Sequence, residues 1–188
     1  MHNPIRLDKR AEWLDGVRKV ESPNYDDRPD SAEITLLVIH GISLPPGEFG
    51  GGYIEQLFMN DLDPGTHPCF AEIADNRVSA HVFIDRMGTI TQYVPFNGRA
   101  WHAGPSEFKG RQRCNDFSIG VELEGCDEQP YTDKQYTQLA ALTKVLMKQW
   151  PAINEENIVG HCHIAPDRKT DPGPEFDWQH YFDLLKHD

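Results

Sequence analysis

The sequence predicts a single α/β domain built around a central sheet. Its 188 residues suit one domain rather than two. Short apolar, β-branched runs alternate with two or three helical stretches, the pattern of strands and helices sharing one core. No internal repeat and no linker divides the chain.

Residues 1–32 are polar and end in SPNYDDRPD. They are expected to form an irregular lead-in packed on the domain through Trp13, Leu14 and Val17, with the domain proper at 33–188. Residues 34–40 (ITLLVIH) read as a buried strand, because a short β-branched apolar run is more often strand than helix. Gly41 stops it, and SLPPGEFGGG opens a long loop. Residues 53–58 suit a short helix. Residues 79–85 and 89–94 flank Arg86-Met87-Gly88 as a hairpin. Residues 117–124 alternate strictly, with Phe117, Ile119, Val121 and Leu123 on one side and Ser118, Gly120, Glu122 and Glu124 on the other.

Residues 132–150 carry the clearest helix. Thr132 and Gln135 make a capping box, Tyr136, Leu139, Leu142, Val145 and Leu146 make the apolar stripe, and Pro151 ends it. Ile158-Val159 is a stub of strand. A last helix begins near Asp177, with Trp178, Phe182 and Leu185 on one side.

Composition narrows the function classes. Thirty acidic against eighteen basic residues give a net charge of −12, which argues against nucleic acid or an anionic membrane face as partner. No window approaches the roughly 18 apolar residues of a membrane span. Charges run through the first residues, so no secretory signal is read and a cytoplasmic location is expected. Cys69, Cys114, Cys126 and Cys162 form no C-x-x-C pair and are expected to be free thiols. Nine histidines in so acidic a chain are an excess that composition does not explain.

Several polar residues stand where chemistry is placed. His40 ends an apolar strand at a Gly-rich loop, the position at which α/β proteins put ligands. His161 follows Gly160 in the same way and leads into a proline-restrained loop, residues 165–174, which carries Lys169 and Asp171. Two histidines and a carboxylate suffice for a catalytic zinc with one position left for water. Spacing does not choose between His161 and His163, and Cys162 is a further possible ligand. Glu122 is a candidate base, with small Ser118 and Gly120 on its face leaving room for a ligand; Glu124 fits the pattern equally. Trp101 and His102 in RAWHAG suit a sugar-stacking surface. Arg77, Arg99, Arg111, Arg113 and Arg168 could meet a carboxylate-bearing substrate if they converge. No H-E-x-x-H, G-x-S-x-G, P-loop or deaminase signature is present. The residues alone point to a zinc hydrolase with an anionic substrate.

LLVIHGISLPPGEFGG, RVSAHVFIDRMGTITQYVPF, RAWHAG, GRQRCNDFSIGVELEG and GHCHIAPDRKTDPGP resemble, in that order, the AmpD-type N-acetylmuramoyl-L-alanine amidases of the amidase and peptidoglycan-recognition superfamily. The likeness runs from about Trp13 to Trp178. It implies a central mixed sheet flanked by helices. It implies His40, His161 and Asp171 as zinc ligands, Glu122 as acid/base and Lys169 as the cation facing the transition state. Arg77, Trp101, His102 and Arg113 are expected to meet substrate. The implied reaction is hydrolysis of the amide joining N-acetylmuramic acid, in its 1,6-anhydro form for the cytosolic branch, to L-alanine of the stem peptide, in muropeptide recycling. The expected partner is a small muropeptide, bound by a monomer with no nucleic acid and no membrane. Two positions depart from the family pattern: Gly41, where asparagine is frequent, and Cys69, where an aromatic is frequent. Two rivals remain, a binding-only peptidoglycan module and a cysteine peptidase using Cys114 or Cys162.

Overall fold

The computed structural model describes residues 4–186. Its main element is a six-stranded mixed sheet. The strands are β3 (Arg18–Lys19), β5 (Leu36–Ile42), β6 (Val82–Ile84), β7 (Ile90–Gln92), β11 (Ser118–Glu124) and β12 (Ile158–Gly160), in the order β12-β5-β11-β6-β7-β3. All neighbours run parallel except the hairpin pair β6–β7. The hairpin turns at residues 85–89, as the Arg86-Met87-Gly88 punctuation predicts, with Gly88 at φ 79°.

The alternation along β5 and β11 sorts their side chains onto two faces. Leu37, Ile39, Ile119, Val121 and Leu123 enter one core with α2 (Asp133–Gln149) and α4 (Trp178–Lys186). Leu139, Leu142 and Leu146 of α2 are fully buried there, each stabilising the fold by roughly 1.5–3 kcal/mol relative to exposure. The capping box forms: Gln135 N–H donates to Thr132 Oγ1 at 3.2 Å and Thr132 N–H to Gln135 Oε1 at 3.1 Å. The other face presents Leu36 and Val38, packed with Ala103, Cys114 and Phe117, and beyond them the polar ends of the strands. A second apolar cluster joins α1 (Tyr53–Phe58), through Ile54, Leu57 and Phe58, to Phe70 and Tyr93.

The lead-in is more ordered than its polar composition suggests. It holds β1 (Arg6–Leu7), β2 (Leu14–Asp15) and β4 (Tyr25–Asp27) besides β3, which forms an edge of the main sheet. β1 pairs with β2, and β4 with β8 (Gly98–Ala100). Buried Gln92 pins it: its Oε1 accepts from Leu14 N–H at 2.7 Å, and its Nε2 donates to the Glu12 carbonyl at 2.9 Å. Arg28 donates to the carbonyls of Asn115, Asp116 and Ser118 at 2.8–3.2 Å, tying the lead-in to the start of β11. Long-range pairing and side-chain hooks, neither visible in local pattern, order this segment. A short pair, β9 (Glu107–Phe108) with β10 (Arg111–Gln112), closes the loop that follows RAWHAG. No helix among the described residues is long and apolar enough to cross a membrane. The four cysteines form no disulfide.

Candidate active site

Three adjacent parallel strands end together and set the site. His40 of β5 lies directly opposite Glu122 of β11, so both project from the same face. Gly160 of β12 lies opposite Ile39, and the next residue, His161, therefore arrives beside His40. His161 opens α3 (His161–Ile164), after which the proline-rich loop turns back and delivers Asp171. Its return is fixed from two sides. Cys162 N–H donates to the Asp171 carbonyl at 2.9 Å, and the Tyr131 hydroxyl donates to the Pro172 carbonyl at 2.8 Å.

The result is a knot of three acceptors. His40 Nδ1 and His161 Nδ1 are 3.0 Å apart, and each lies 3.1–3.2 Å from Asp171 Oδ2. The remaining ring nitrogens are engaged by neighbours. His161 Nε2–H donates to the Ala103 carbonyl at 3.1 Å, and His40 Nε2 lies in hydrogen-bond contact with His102 Nδ1 at 2.9 Å. Both Nδ1 atoms thus face Asp171, and with the ring protons on Nε2 they present lone pairs to a shared metal position. Burial pushes the His40 pKa down to about 4 despite the nearby carboxylate. Burial works to raise Asp171, but its contacts with His161 and His40 outweigh that and hold it below the usual carboxylate range. At neutral pH His40 is neutral and Asp171 ionised, the forms that offer lone pairs. Separations of 3.0–3.2 Å approach the edge of about 3.3 Å expected for nitrogen and oxygen ligands around tetrahedral zinc. Among the described residues, these three form the cluster able to hold a metal ion.

Glu122 faces the same space. Its Oε1 lies 3.9 Å from His40 Nδ1, and its buried Oε2 has no hydrogen-bond partner. An unpartnered buried carboxylate oxygen is costly unless it serves a ligand. Burial, with Asp171 adding to it and Lys169 opposing, pushes its pKa well above the usual range. All five residues line one cavity of about 240 Å³, walled by Leu57, Phe58 and Trp101.

The N-acetylmuramoyl-L-alanine amidase family model matches residues 30–174, a span that contains every residue of this cavity. The chain belongs to the N-acetylmuramoyl-L-alanine amidase family. It is 62% identical over 173 residues to the 1,6-anhydro-N-acetylmuramyl-L-alanine amidase AmpD of Salmonella typhimurium strain SL1344, covering 92% of each chain. It is 63% identical over 169 residues to the enzyme of the same name from Escherichia coli K12, covering 90% of this chain and 92% of that one. Among solved structures, a selenomethionine AmpD derivative superposes with a TM-score of 0.91 at 59% identity, covering 95% of this chain and 98% of the other. The Escherichia coli amidase AmiD, solved with anhydro-N-acetylmuramic acid-L-Ala-D-gamma-Glu-L-Lys, superposes with a TM-score of 0.61 at 28% identity, covering 96% of this chain and 65% of that one. The central mixed sheet flanked by helices is the fold of these amidases.

Within this amidase, geometry separates the paired candidates. His163 is exposed, and its Nδ1 accepts from Gly160 N–H at 2.9 Å, so it caps α3 instead of joining the knot. Glu124 is buried with both oxygens occupied: Oε1 accepts from Gly50 N–H at 2.6 Å and Oε2 from Arg86 N–H at 3.1 Å. Lys169 is exposed and reaches the cavity with Asp171. Trp101 lines it, with its indole N–H donating to Asp26 Oδ1 at 3.1 Å.

Of the remaining expected contacts, His102 lines the cavity, and Arg77 and Arg113 lie off it. The room left by Ser118 and Gly120 is filled by the His102 ring and not by a ligand. His102 is buried edge to face against His40 and lines the cavity beside Trp101. Arg77 is exposed and off the cavity, although Asn76 and Val78 on either side line it. Arg113 is exposed, pairs with Asp116 at 3.3 Å and lines a second depression with Arg168. Cys69 sits 2.9 Å from His67 Nδ1 and is not part of the wall. A side chain at Gly41 would collide with the buried Tyr131 hydroxyl, so here glycine admits the residue that holds the Asp171 loop. Sequence reasoning missed Tyr131, and also Asn115, whose Oδ1 accepts from the N–H groups of His102 and Ala103. Neither lies in a pattern that signals chemistry.

Proposed function

We propose that this chain is a zinc-dependent amidase that cleaves the amide between 1,6-anhydro-N-acetylmuramic acid and L-alanine in cytoplasmic muropeptide recycling. The carrying observation is the unpartnered Glu122 Oε2 beside three converging atoms, two imidazole nitrogens and a carboxylate oxygen, each able to ligate a metal ion. With both ring protons on Nε2, the three lone pairs converge on one position suited to a cation. His40, His161 and Asp171 are the residues that would hold zinc, which when bound lowers the pKa of water toward about 7 and polarises a carbonyl. Glu122 takes a proton from the attacking water as its oxygen bonds to the lactyl carbonyl carbon. It returns that proton to the amino group of L-alanine as the C–N bond breaks. A carboxylate whose pKa is raised by burial suits both halves of that exchange. Lys169 offers positive charge to the carbonyl oxygen as it becomes an oxyanion. The apolar wall and Trp101 suit the sugar, and Arg77 and Arg113 remain as rim cations for the stem carboxylates. The named relatives support the anhydro-muramyl substrate. A binding-only module would have no use for a buried base. A cysteine peptidase is disfavoured because burial raises the thiol pKa of both Cys114 and Cys162.

The test is digestion of 1,6-anhydro-muramoyl tripeptide by zinc-loaded and by chelator-treated protein, with products identified by mass. Free peptide should appear with zinc and not after chelation. A zinc-loaded protein that releases no free peptide overturns the proposal. Because the chain carries a net charge of −12, substrate binding should also vary with salt.

A further inference from the structure

His40 and His161 play matching parts in the acceptor knot but are braced differently. His161 Nε2–H is held by a main-chain carbonyl, that of Ala103, at 3.1 Å. His40 Nε2–H is held by a second imidazole, His102 Nδ1, at 2.9 Å, the two rings meeting edge to face at 84°. A backbone acceptor survives any substitution, whereas an imidazole acceptor works only in one tautomer. With His40 Nδ1 given to the metal, its proton sits on Nε2 and His102 Nδ1 is the acceptor, which places the His102 proton on Nε2, 3.1 Å from Ser118 Oγ. The ring is also fixed by shape. A Cβ at residue 120 would lie 2.6 Å from both its Cδ2 and its Nδ1, so only glycine leaves it room on β11. The His102 backbone N–H donates to Asn115 Oδ1 at 3.2 Å, and Ala103 N–H donates to the same oxygen at 2.8 Å. Asn115 therefore steadies the braces of both histidines.

We infer that His102, seated by Ser118, Gly120 and Asn115, is a positioning residue that fixes the tautomer and ring orientation of His40 and so sets the zinc affinity of the site. The inference rests on the metal reading above. It gives His102, which also lines the cavity, the part of a support beneath a ligand, where loss of the partner typically weakens metal affinity by about 10–100-fold.

The experiment is zinc binding to the full chain by chelator competition, with histidine-labelled NMR reading the His40 Nε2–H and its exchange with water. His102→Leu removes the acceptor and should weaken zinc binding by about 10–100-fold, with the His40 proton exchanging faster. His102→Asn places an amide oxygen where Nδ1 was and should recover most of the affinity. Ser118→Ala touches only the far end of the chain of hydrogen bonds and should cost less than His102→Leu. Wild-type affinity and unchanged proton exchange in His102→Leu would overturn the inference, as would equal losses in the leucine and asparagine variants, since packing alone would then explain them. A wild type that binds no zinc overturns the metal reading and this inference with it, which keeps the two failures apart.

Discussion

Glu122 and Glu124 stand two residues apart on one strand and one face, and both are buried. Their surroundings give them opposite tasks. Glu124 has both oxygens met by main-chain N–H groups, from Gly50 in the long loop and Arg86 in the hairpin. It staples two turns to the end of β11. Glu122 has one oxygen with no partner and the other near His40. The same chemical group is structural where donors saturate it and available for proton transfer where they are withheld. The difference lies in which loops come over the strand end, which is why β-alternation cannot tell the two glutamates apart.

The comparison breaks most visibly in turnover. Glu122→Gln keeps the shape and removes the exchangeable proton, so turnover should fall by about 10²–10⁴-fold while zinc content holds. Near-normal turnover in that variant would show that Glu122 is no base. Glu124→Gln should leave turnover within a few-fold, roughly the scale at which distant substitutions act. Lys169 is next, since it opposes the upward push on Glu122 and faces the same cavity. Lys169→Ala should lower turnover by about 10²–10³-fold with little change in zinc content. Loss of zinc instead would make Lys169 a support for Asp171.

How far the sequence foretold this site follows from which residues are fixed by local rules. His40, His161 and Glu122 sit at strand ends that hydrophobic pattern locates, and the parallel register then brings them together. The α2 helix announces itself by its cap and stripe. The choice of His161 over His163 and of Glu122 over Glu124 needed the family resemblance, because spacing and alternation treat the members of each pair alike, whereas Asp171 was already a candidate as the carboxylate of the proline-restrained loop. The support that His102 gives His40 was not foreseen, since local pattern does not show which loop covers a strand. Gly120 and Ser118 read as empty space along the strand, whereas a loop 16 residues earlier than Ser118 fills it. The lead-in was the hardest part: its two- and three-residue strands owe their order to Gln92 and to the carbonyls that Arg28 reaches near the start of β11, far along the chain.

Stability probes the other glutamate. Glu124→Ala leaves the Gly50 and Arg86 N–H groups without their acceptor. Gly50 is exposed and Arg86 half-buried, so water replaces part of the lost acceptor, and a loss of about 0.5–1.5 kcal/mol per bond is expected in urea unfolding. Glu122→Ala should cost less, because no donor is orphaned. The reverse order would mean that Glu122 carries a hidden structural bond.

The smallest effect is a slope with pH, and its sign follows from burial. The folded-state pKa of Glu122 is raised, with burial the main cause, above its unfolded value of about 4.3. Below that value both states hold the proton, and the group adds no slope. As pH rises, the unfolded chain releases its proton first, so the folded state binds more protons and stability falls until the folded pKa is passed. One such group changes stability by at most about 1.4 kcal/mol per pH unit. Chelator-stripped wild type should therefore lose stability with rising pH relative to Glu122→Gln, whose side chain does not titrate. Glu124→Gln should retain that slope, since it leaves Glu122 untouched. Parallel curves for wild type and Glu122→Gln would mean that Glu122 ionises like any solvated glutamate, and the contrast between the two carboxylates would then rest on position alone.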